Sequence, residues 1–305
     1  MFTSRLHPHI FLIDLKPTGF PGFISSYLIK GKKVAIVETG PTATIPNLLR
    51  GMEEIGISVE DVDYVAVSHI HLDHGGGVGK LLSYLPRAKL IVHKRGAPHI
   101  VNPERLWEQA KKVLGKVAEI YEKPVAVSSE RIIVAEDGMT LELGDNIRIE
   151  VVETLGHASH HQSFYDEKSK GVFPGDTAGI YIPEFDVIIP TTPPPLYLET
   201  MLASIDKLRQ LKPNSLYYSH FGEASNALTK LQMHENQLRV WGDTVLRGIR
   251  DNATLEEIEE RIVKCDPAVR TVIEYIKNHP IMSRGIIAQN IQGFMQYFKH
   301  VQAKD

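Results

Sequence analysis

Cysteine is almost absent from this sequence, since Cys265 is the single example among 305 residues. One thiol cannot form a disulfide within the chain, and it cannot build a zinc site of the kind that uses several cysteines. A lone thiol also fits a reducing compartment. Any metal site in this chain must therefore be built from other residue types.

A surplus of positive charge is also missing, because 34 lysine and arginine residues face 37 aspartate and glutamate residues, giving a formal net charge of −3. Proteins that grip phosphate backbones usually show a basic surplus, so we expect no nucleic-acid partner. No apolar run approaches the ~20 residues that a bilayer-spanning helix needs. The N-terminal MFTSRLHPHIFLIDL lacks the apolar core of a signal peptide. We therefore expect a soluble, cytoplasmic protein without a membrane partner.

Histidine, in contrast, is concentrated at one point, the stretch VSHIHLDHGGG at 67–77. An apolar strand precedes it, and alternate positions of its extended part let His69 and His71 project to the same side. The turn that follows brings Asp73 and His74 beside them, and the three glycines let the backbone pass close to bound ions. Imidazole and carboxylate groups suit zinc, iron or manganese. A scatter of unrelated polar residues is a poor explanation, because an uncompensated cluster at a buried strand end costs free energy.

Three further stretches end an apolar strand with a metal-capable side chain. They are VVETLGHASHH (151–161) with His157, VFPGDTAG (172–179) with Asp176, and LYYSHFG (216–222) with His220. Loops at strand ends, held by a rigid sheet, are common places for functional sites. Each residue is weak evidence alone, because a histidine at a strand end is more often a hydrogen-bonded turn residue. Together with the first stretch they give seven candidate ligands.

Strand-like and helix-like runs alternate along residues 1–225, which predicts an α/β domain. Predicted strands cover 9–14, 25–29, 33–38, 63–68, 89–93 and 215–219, further strands lie within 125–152, and 162–165 forms a hairpin with 171–174. Predicted helices cover 43–55, 78–85, 104–117 and 198–211. Residues 226–305 contain no convincing strand and predict a helical extension, with helices over 226–250, 254–264, 267–278 and 284–299. We expect this extension to be a lid over the site or the interface of a homodimer.

The order and spacing of these motifs resemble the metallo-β-lactamase superfamily over roughly residues 8–222. The resemblance implies a four-layer αββα sandwich of two mixed β-sheets, here followed by the C-terminal helical extension, with two metal ions at one edge. It assigns the first metal to His69, His71 and His157. It assigns the second metal to Asp73, His74 and His220, with Asp176 bridging both.

The motifs also narrow the branch of the family that this chain resembles. True β-lactamases of the family often place a cysteine at the second metal and generally lack the bridging aspartate, whereas this chain has Asp176. Flavo-diiron proteins carry a glutamate where His71 stands. The stretch GHASHHQS (156–163) is similar to the GHTxGH motif of thioesterase and lactonase members, with His161 at the second histidine and His160 in place of a glycine. The chain therefore resembles the glyoxalase II, lactonase and ribonuclease Z side of the family.

The resemblance implies a hydrolase in which two divalent ions share a hydroxide that attacks the carbonyl of a small ester, thioester or lactone. Zinc is the simplest choice of metal, with iron or manganese as alternatives. Asp73 would also hold the proton of the nucleophile and pass it on. Tyr181 would donate a hydrogen bond to the substrate carbonyl, as in lactonase relatives, although simple packing explains it equally well.

Other functions stay open at this level. A nuclease or phosphodiesterase of the ribonuclease Z kind shares the ligands but needs a basic groove, and the densest basic cluster is HKRG at 93–96. A sulfur dioxygenase would use a single iron, and a regulatory protein would use its metals structurally. Two loops have alternative interpretations as well. GFPGF (19–23) is a flap or an ordinary turn, and IIPTTPPPL (188–196) is a pocket wall or a linker.

Overall fold

The computed structural model describes residues 1–302. Its strands are β1 Thr3–His7, β2 Ile10–Asp14, β3 Ser25–Lys30, β4 Val34–Val37, β5 Val62–Ala66, β6 Lys89–His93, β7 Ile132–Ala135, β8 Thr140–Gly144, β9 Ile147–Glu153, β10 Gln162–Asp166, β11 Gly171–Phe173, β12 Ile180–Ile182, β13 Val187–Ile189, β14 Ser215–Tyr218 and β15 Gly222–Ser225. Its α-helices are α1 Ile45–Ile55, α2 Val78–Tyr84, α3 Ala97–Val101, α4 Glu104–Leu114, α5 Lys116–Tyr121, α6 Leu198–Gln210, α7 Ala227–Arg250, α8 Leu255–Cys265, α9 Pro267–Asn278 and α10 Ile286–Gln302. No helix in this part of the chain is long and apolar enough to cross a membrane.

The first sheet contains seven strands in the order β1-β2-β3-β4-β5-β6-β7. Strands β1 to β4 form an antiparallel meander, whereas β4 to β7 run parallel and are connected through helices. All four residues of β4 are buried, as expected for a parallel strand with both faces covered. Helix α1 makes the first crossover and buries Ile45, Leu48 and Met52, which share one face at helical spacing.

The second sheet contains six strands in the order β15-β14-β11-β10-β9-β8. Strands β8 to β11 are antiparallel neighbours, and β11 pairs with β14 in parallel, so this sheet is mixed like the first. The predicted hairpin is present as β10 and β11, with Asp166 opposite Gly171. Strands β12 and β13 form a separate two-stranded sheet.

The two large sheets pack face to face and bury a cluster that contains inward-facing residues from both, including Ile10, Tyr27, Ile149, Phe164 and Phe173. Inward and outward residues alternate along these strands, which is the pattern of a sandwich interior. A second and larger cluster joins the outer face of the first sheet to helices such as α1 and α2 and also includes residues of α6 and α7. The predicted αββα sandwich of two mixed sheets is therefore confirmed.

The C-terminal extension is helical as predicted, and α7 to α10 agree with the predicted spans within a few residues. Helix α8 begins at a capping box, because Thr254 accepts a hydrogen bond from the Glu257 amide and the Glu257 carboxylate accepts one from the Thr254 amide. The buried residues of the extension, such as Trp241 and Phe294, belong to the same cluster as the α/β core. The boundary near residue 225 stays a prediction, but packing gives the extension no separate core.

Some elements differ from the prediction. The expected helix over 104–117 is interrupted at Gly115, whose φ of 53° and ψ of −124° end α4 before α5 begins. Strands β1, β12, β13 and β15 were not predicted. They contain three to five residues each and are held by pairing with neighbours, so they have little periodic signal of their own.

Candidate metal centre

All seven predicted ligands lie at one edge of the sandwich. Each follows the end of a strand: the stretch 67–77 follows β5, His157 follows β9, Asp176 follows β11 and His220 follows β14. Their donor atoms form three overlapping groups, each with atoms within 4.8 Å of one another, namely His69–His71–His157, His69–His74–Asp176 and Asp73–His74–His220. The structure thus brings together residues that are up to 151 positions apart.

The first group is made by three imidazoles. Nε2 of His69 lies 2.9 Å from Nδ1 of His71, and Nε2 of His157 lies 3.1 Å from that same Nδ1. Three nitrogen atoms therefore face one point, as in sites where three histidines hold a zinc ion. This is the arrangement that the resemblance assigned to the first metal.

The second group combines histidines with carboxylates. Nε2 of His74 lies 3.2 Å from Nε2 of His220, which in turn lies 3.6 Å from Oδ2 of Asp73. Asp176 spans both groups, because Oδ1 lies 3.1 Å from Nε2 of His74 while Oδ2 lies 3.4 Å from Nε2 of His157. Asp176 therefore occupies the position expected of a carboxylate shared by two ions.

Backbone carbonyls fix the tautomers of two of these histidines. Nδ1 of His157 donates to the Thr191 carbonyl at 2.8 Å, and Nδ1 of His220 donates to the Phe23 carbonyl at 3.0 Å. A carbonyl oxygen can only accept a hydrogen bond, so each ring carries its proton on Nδ1. The lone pair of Nε2 then points into the site, which is how metal-binding histidines are usually oriented by their surroundings.

The donor set fits divalent metal ions. It contains five imidazoles and two carboxylates, the ligand types that zinc, iron and manganese share. Oδ1 of Asp176 is buried and faces Nε2 of His74 at 3.1 Å and Nε2 of His220 at 3.8 Å, but within the described residues it accepts no aligned hydrogen bond. A buried carboxylate oxygen without a partner costs free energy, and a bound cation would remove that cost.

The protonation states of His69, His71, Asp73 and Asp176 also suit metal binding. Burial, followed by the positive charge of neighbouring histidines, lowers the pKa of His69 and of His71 well below the ordinary value. Burial alone would raise the pKa of Asp176, but His74 and His157 hold it well below its usual range. The pKa of Asp73 is lowered in the same way by His74 and His220 against the effect of burial. Neutral imidazoles and ionised carboxylates are the forms that bind metals.

Glu38 lies behind His74 and was not among the predicted site residues. It is buried, and its Oε1 lies 3.5 Å from Nδ1 of His74, accepts from the Ser68 amide at 3.3 Å and accepts from the Ser219 hydroxyl at 3.2 Å. Burial lowers the pKa of His74, but the Asp176, Glu38 and Asp73 carboxylates raise it well above its ordinary value. The signal was present, since KKVAIVE also ends a buried strand with a carboxylate.

His161, at the second histidine of the GHASHHQS stretch, orients Asp176 from the outer side. Its Nε2 accepts a hydrogen bond from the Asp176 amide at 3.0 Å, so its proton is on Nδ1, which lies 3.0 Å from the Thr154 hydroxyl. Thr191 supports Asp176 as well, because its hydroxyl donates to Oδ2 at 2.8 Å. Thr191 therefore contacts two ligands, His157 through its carbonyl and Asp176 through its side chain.

The loop that carries Thr191 is held by the C-terminal extension. The side-chain amide of Asn290, on α10, donates to the Pro190 carbonyl at 2.6 Å and accepts from the Thr192 amide at 2.6 Å. Asn290 and Thr192 are both buried. The extension thus contributes to the support of the metal centre although it provides none of the seven ligands.

Tyr181 does not reach the centre. Its hydroxyl donates to Oδ1 of Asp186 at 2.8 Å, and its ring stacks on Tyr218 with centroids 5.2 Å apart. Its predicted contact with substrate stays a prediction without geometric support. Tyr121, on α5, instead lines the cavity next to the ligands, and it was not identified from the sequence.

A cavity of about 690 Å³ opens above the ligands His71, Asp73, His157, Asp176 and His220. Most of its wall residues come from three parts of the chain: α4 and α5, the loop 188–196, and residues 281–290 of the extension. The loop IIPTTPPPL is therefore a pocket wall, with Pro193, Pro194 and Pro195 facing the cavity. Phe23 of GFPGF also lines it.

Comparison with known proteins identifies the same superfamily that the sequence motifs resemble. A family model described as the metallo-beta-lactamase superfamily matches residues 19–220. The metallo-beta-lactamase fold-containing protein ST1585 of Sulfurisphaera tokodaii is 29% identical over 220 residues, which is 70% of this chain and 78% of that protein. The N-acyl homoserine lactonase AttM of Agrobacterium fabrum is 30% identical over 113 residues, 37% of this chain and 39% of the lactonase.

The likeness of fold extends beyond the ligand-bearing part of the chain. The crystal structure of the metallo-beta-lactamase family protein TTHA1429 from Thermus thermophilus superposes with a TM-score of 0.71 at 21% identity, covering 98% of this chain and 96% of that one. Such coverage includes the helices after residue 225. At this identity the likeness concerns the fold alone. The chain belongs to the metallo-β-lactamase superfamily of metal-dependent, hydrolase-type enzymes.

Proposed function

We propose that this protein is a dinuclear-metal hydrolase that cleaves a small ester, thioester or lactone. The observation that carries the proposal is the position of Asp176 between two complete groups of ligands at the floor of a cavity. Two divalent cations, when bound, supply Lewis acidity and lower the pKa of a shared water to about 7. We infer zinc as the metal, with iron or manganese as alternatives for the same donor set.

The residues of the chain supply positioning and proton transfer. Asp73 lines the cavity with a side chain that is 26% exposed, so its carboxylate can reach both a ligand site and a substrate. Its lowered pKa keeps it ionised at neutral pH, which suits it to hold the proton of a nucleophile and pass it to a leaving group. No serine or cysteine nucleophile is needed in this scheme.

A small molecule is the proposed partner. The cavity volume of about 690 Å³ lies within the range of about 300–1,000 Å³ that holds drug-sized ligands. The relative AttM is named as a lactonase, which supports a lactone or a related acyl compound as substrate, although the match covers 37% of this chain. A cytoplasmic location is part of the same proposal.

Hydrolysis can be tested with purified protein loaded with zinc or manganese and a panel of esters, thioesters and lactones. We expect two metal equivalents per chain and turnover of at least one substrate class. Asp176→Asn should lower the metal content and reduce kcat by about a hundredfold or more, because the shared ligand loses its charge. Cleavage of RNA with no turnover of the panel would favour a nuclease, and one iron per chain with thiol oxidation would favour a dioxygenase.

A further inference from the structure

We propose that the opening of the cavity is an anion-binding subsite, and that the substrate carries a carboxylate or phosphate group at the end remote from the bond that is cleaved. This inference deepens the proposed hydrolase function and rests on it. The evidence is the distribution of charged and apolar side chains along the cavity, from the metal ligands at its floor to its opening.

Three cationic side chains line the opening: Arg105 and Lys112 on α4, and Arg284 just before α10. Arg105 and Lys112 are seven positions apart and therefore share one face of the helix. All three are exposed, and none lies within 4.0 Å of a carboxylate in residues 1–302. Glu108 lies near Lys112 on α4, but it forms its ion pair with Lys111 and does not line the cavity.

Acidic side chains are missing from the same surface. Asp73 and Asp176 are the two carboxylates that line the cavity within the described residues, and both belong to the metal centre. The whole chain carries a net charge of −3, so an excess of positive charge here does not follow from the overall composition. The opening therefore attracts anions, and a cleft with one sign of charge concentrates ligands of the opposite sign.

One of these cations is held in place by its surroundings. Nε of Arg284 donates to the Pro280 carbonyl at 3.1 Å, which leaves the two terminal nitrogens of the guanidinium available for a ligand. Arg95, in the HKRG cluster, lies nearby, because its Nη1 donates at 3.3 Å to the carbonyl of Ser159, a cavity residue. The basic cluster seen in the sequence thus lies beside the cavity.

Apolar side chains also line the cavity, among polar ones such as Gln109 and Gln289. They include Leu106 and Val113 of α4 together with Ile281, Met282 and Ile286 of the extension. A ligand that fills this cavity would place an apolar chain between a carbonyl at the metal centre and an anionic group at the opening. Arginine suits the anionic end because its guanidinium can bind a carboxylate or phosphate through two hydrogen bonds.

The experiment compares matched p-nitrophenyl esters on the metal-loaded protein. The neutral probes are p-nitrophenyl hexanoate and decanoate, and the anionic probes replace the terminal methyl with a carboxylate or a phosphonate. We expect kcat/KM to be about threefold to tenfold higher for an anionic probe than for its neutral match. The ratio of carboxylate to phosphonate identifies the preferred anion. High salt should reduce the preference, because it screens exposed charges.

The double variant Arg105→Gln/Arg284→Gln should lose most of this preference. Arg250→Gln, an exposed arginine at the end of α7, removes the same type of charge elsewhere on the extension and should retain it. An equal kcat/KM for neutral and anionic probes in the native protein overturns the subsite. The subsite is also overturned if the double variant keeps the preference for anionic probes while its metal content and thermal midpoint match those of the native protein.

Binding of two dyes tests the subsite without requiring catalysis. It therefore distinguishes a wrong subsite proposal from a wrong hydrolase proposal. The anionic dye 8-anilinonaphthalene-1-sulfonate and the neutral N-phenyl-1-naphthylamine share an apolar body, and their fluorescence reports binding without turnover. We expect the anionic dye to bind about threefold to tenfold more weakly to the double variant, and the neutral dye to change less. Equal losses for both dyes contradict the subsite. Tighter binding of a uridine oligonucleotide than of the small anions would also overturn it.

Discussion

At the scale of single residues, the chemistry of this site depends on atoms that are not ligands. The Thr191 and Phe23 carbonyls fix the protons of His157 and His220, and the Thr191 hydroxyl orients Asp176. Each of these contacts is an ordinary hydrogen bond. Together they decide which lone pairs point into the candidate metal centre, and outer partners of metal ligands have large effects on metal affinity.

Tyr121 is expected to contribute to catalysis. It is 2% exposed and lines the cavity. Burial, together with the Asp73 and Asp176 charges, raises the pKa of Tyr121 well above its ordinary value, so the hydroxyl stays a donor at neutral pH. We predict that Tyr121→Phe lowers kcat/KM by about tenfold to a hundredfold without changing metal content, because a donor to the developing oxyanion is lost.

The matched control for this prediction is Tyr181→Phe. The Tyr181 hydroxyl already donates to Asp186, so its removal should affect kcat/KM less than the loss of the Tyr121 hydroxyl. Steady-state kinetics on both variants, with metal analysis of each, makes the comparison. A larger defect in the Tyr181 variant would restore the role that the family resemblance suggested and contradict the one assigned to Tyr121.

At the scale of elements, the site is built where strands end and loops begin. Helix α10 acts on this region from a distance in sequence, because Asn290 holds the loop 188–196 through two hydrogen bonds of 2.6 Å. The contact is close, since a Cβ atom added to Gly293 would lie 1.8 Å from the Thr192 carbonyl oxygen. Helix α10 therefore fixes the backbone on either side of Thr191.

Asn290→Ala should weaken metal binding although Asn290 is not a ligand. The substitution leaves the Pro190 carbonyl and the Thr192 amide without partners, so Thr191 loses its fixed position beside His157 and Asp176. We predict a loss of zinc affinity of about tenfold to a hundredfold, measured by competition with a chelator. Stability should also fall, by about 1–3 kcal/mol, for the two unpaired groups.

Two variants separate positioning from general destabilisation. Asn278→Ala changes an exposed asparagine at the end of α9 and should leave zinc affinity unchanged. Asn290→Asp keeps an acceptor for the Thr192 amide but turns a buried carboxylate oxygen toward the Pro190 carbonyl, so it should lose at least as much zinc affinity as Asn290→Ala. Native zinc affinity in Asn290→Ala, despite lower stability, would limit Asn290 to a structural role.

At the scale of the whole molecule, the extension and the sandwich share one hydrophobic cluster. His234 of α7 lies at the contact between them, where its Cε1 is 2.9 Å from the position of a Cβ added to Gly179. It is fully buried, and its Nε2 has no hydrogen-bond partner in the described part of the chain. Burial lowers the pKa of His234 from 6.5 to about 4.

Because the pKa of His234 is lowered on folding, the free energy of unfolding depends on pH. Below pH 6.5 the unfolded chain binds a proton at His234 that the folded chain does not, so stability falls as the pH decreases from about 6.5 to about 4. The contribution of this residue between pH 7 and pH 5 is about 2 kcal/mol. We predict that His234→Leu reduces the difference in unfolding free energy between these two pH values by that amount.

Denaturant unfolding at both pH values measures the effect. Titration of the histidines in the candidate metal centre contributes equally to the variant and the native protein, so it cancels in the comparison. His300→Gln, which changes an exposed histidine on α10, is the control and should retain the native difference. An unchanged difference in His234→Leu would show that the contact between extension and sandwich admits water.

Much of the site could be read from residue order. The pattern of an apolar strand followed by a ligand-type residue located all seven side chains that the structure brings together. Strands β9, β11 and β14 of the second sheet end at a common edge, and the packing of the two sheets brings the end of β5 to the same edge. Glu38 also follows an apolar strand, but it was not identified from the sequence. Strands β12 and β13 were missed for a different reason, since three-residue strands carry too little periodicity to distinguish them from a loop.

The sequence by itself determined the ligand types, their order, the alternation of strands and helices, and the helical character of residues 226–305, because these depend on local pattern and side-chain chemistry. The tertiary structure alone decided that Tyr121 rather than Tyr181 faces the cavity, that Asn290 supports Thr191, and that the extension forms a wall with Arg284 at its opening. Such contacts join residues about one hundred positions apart. Such contacts produce no periodic pattern in the sequence, because they depend on how separate helices, strands and loops pack together.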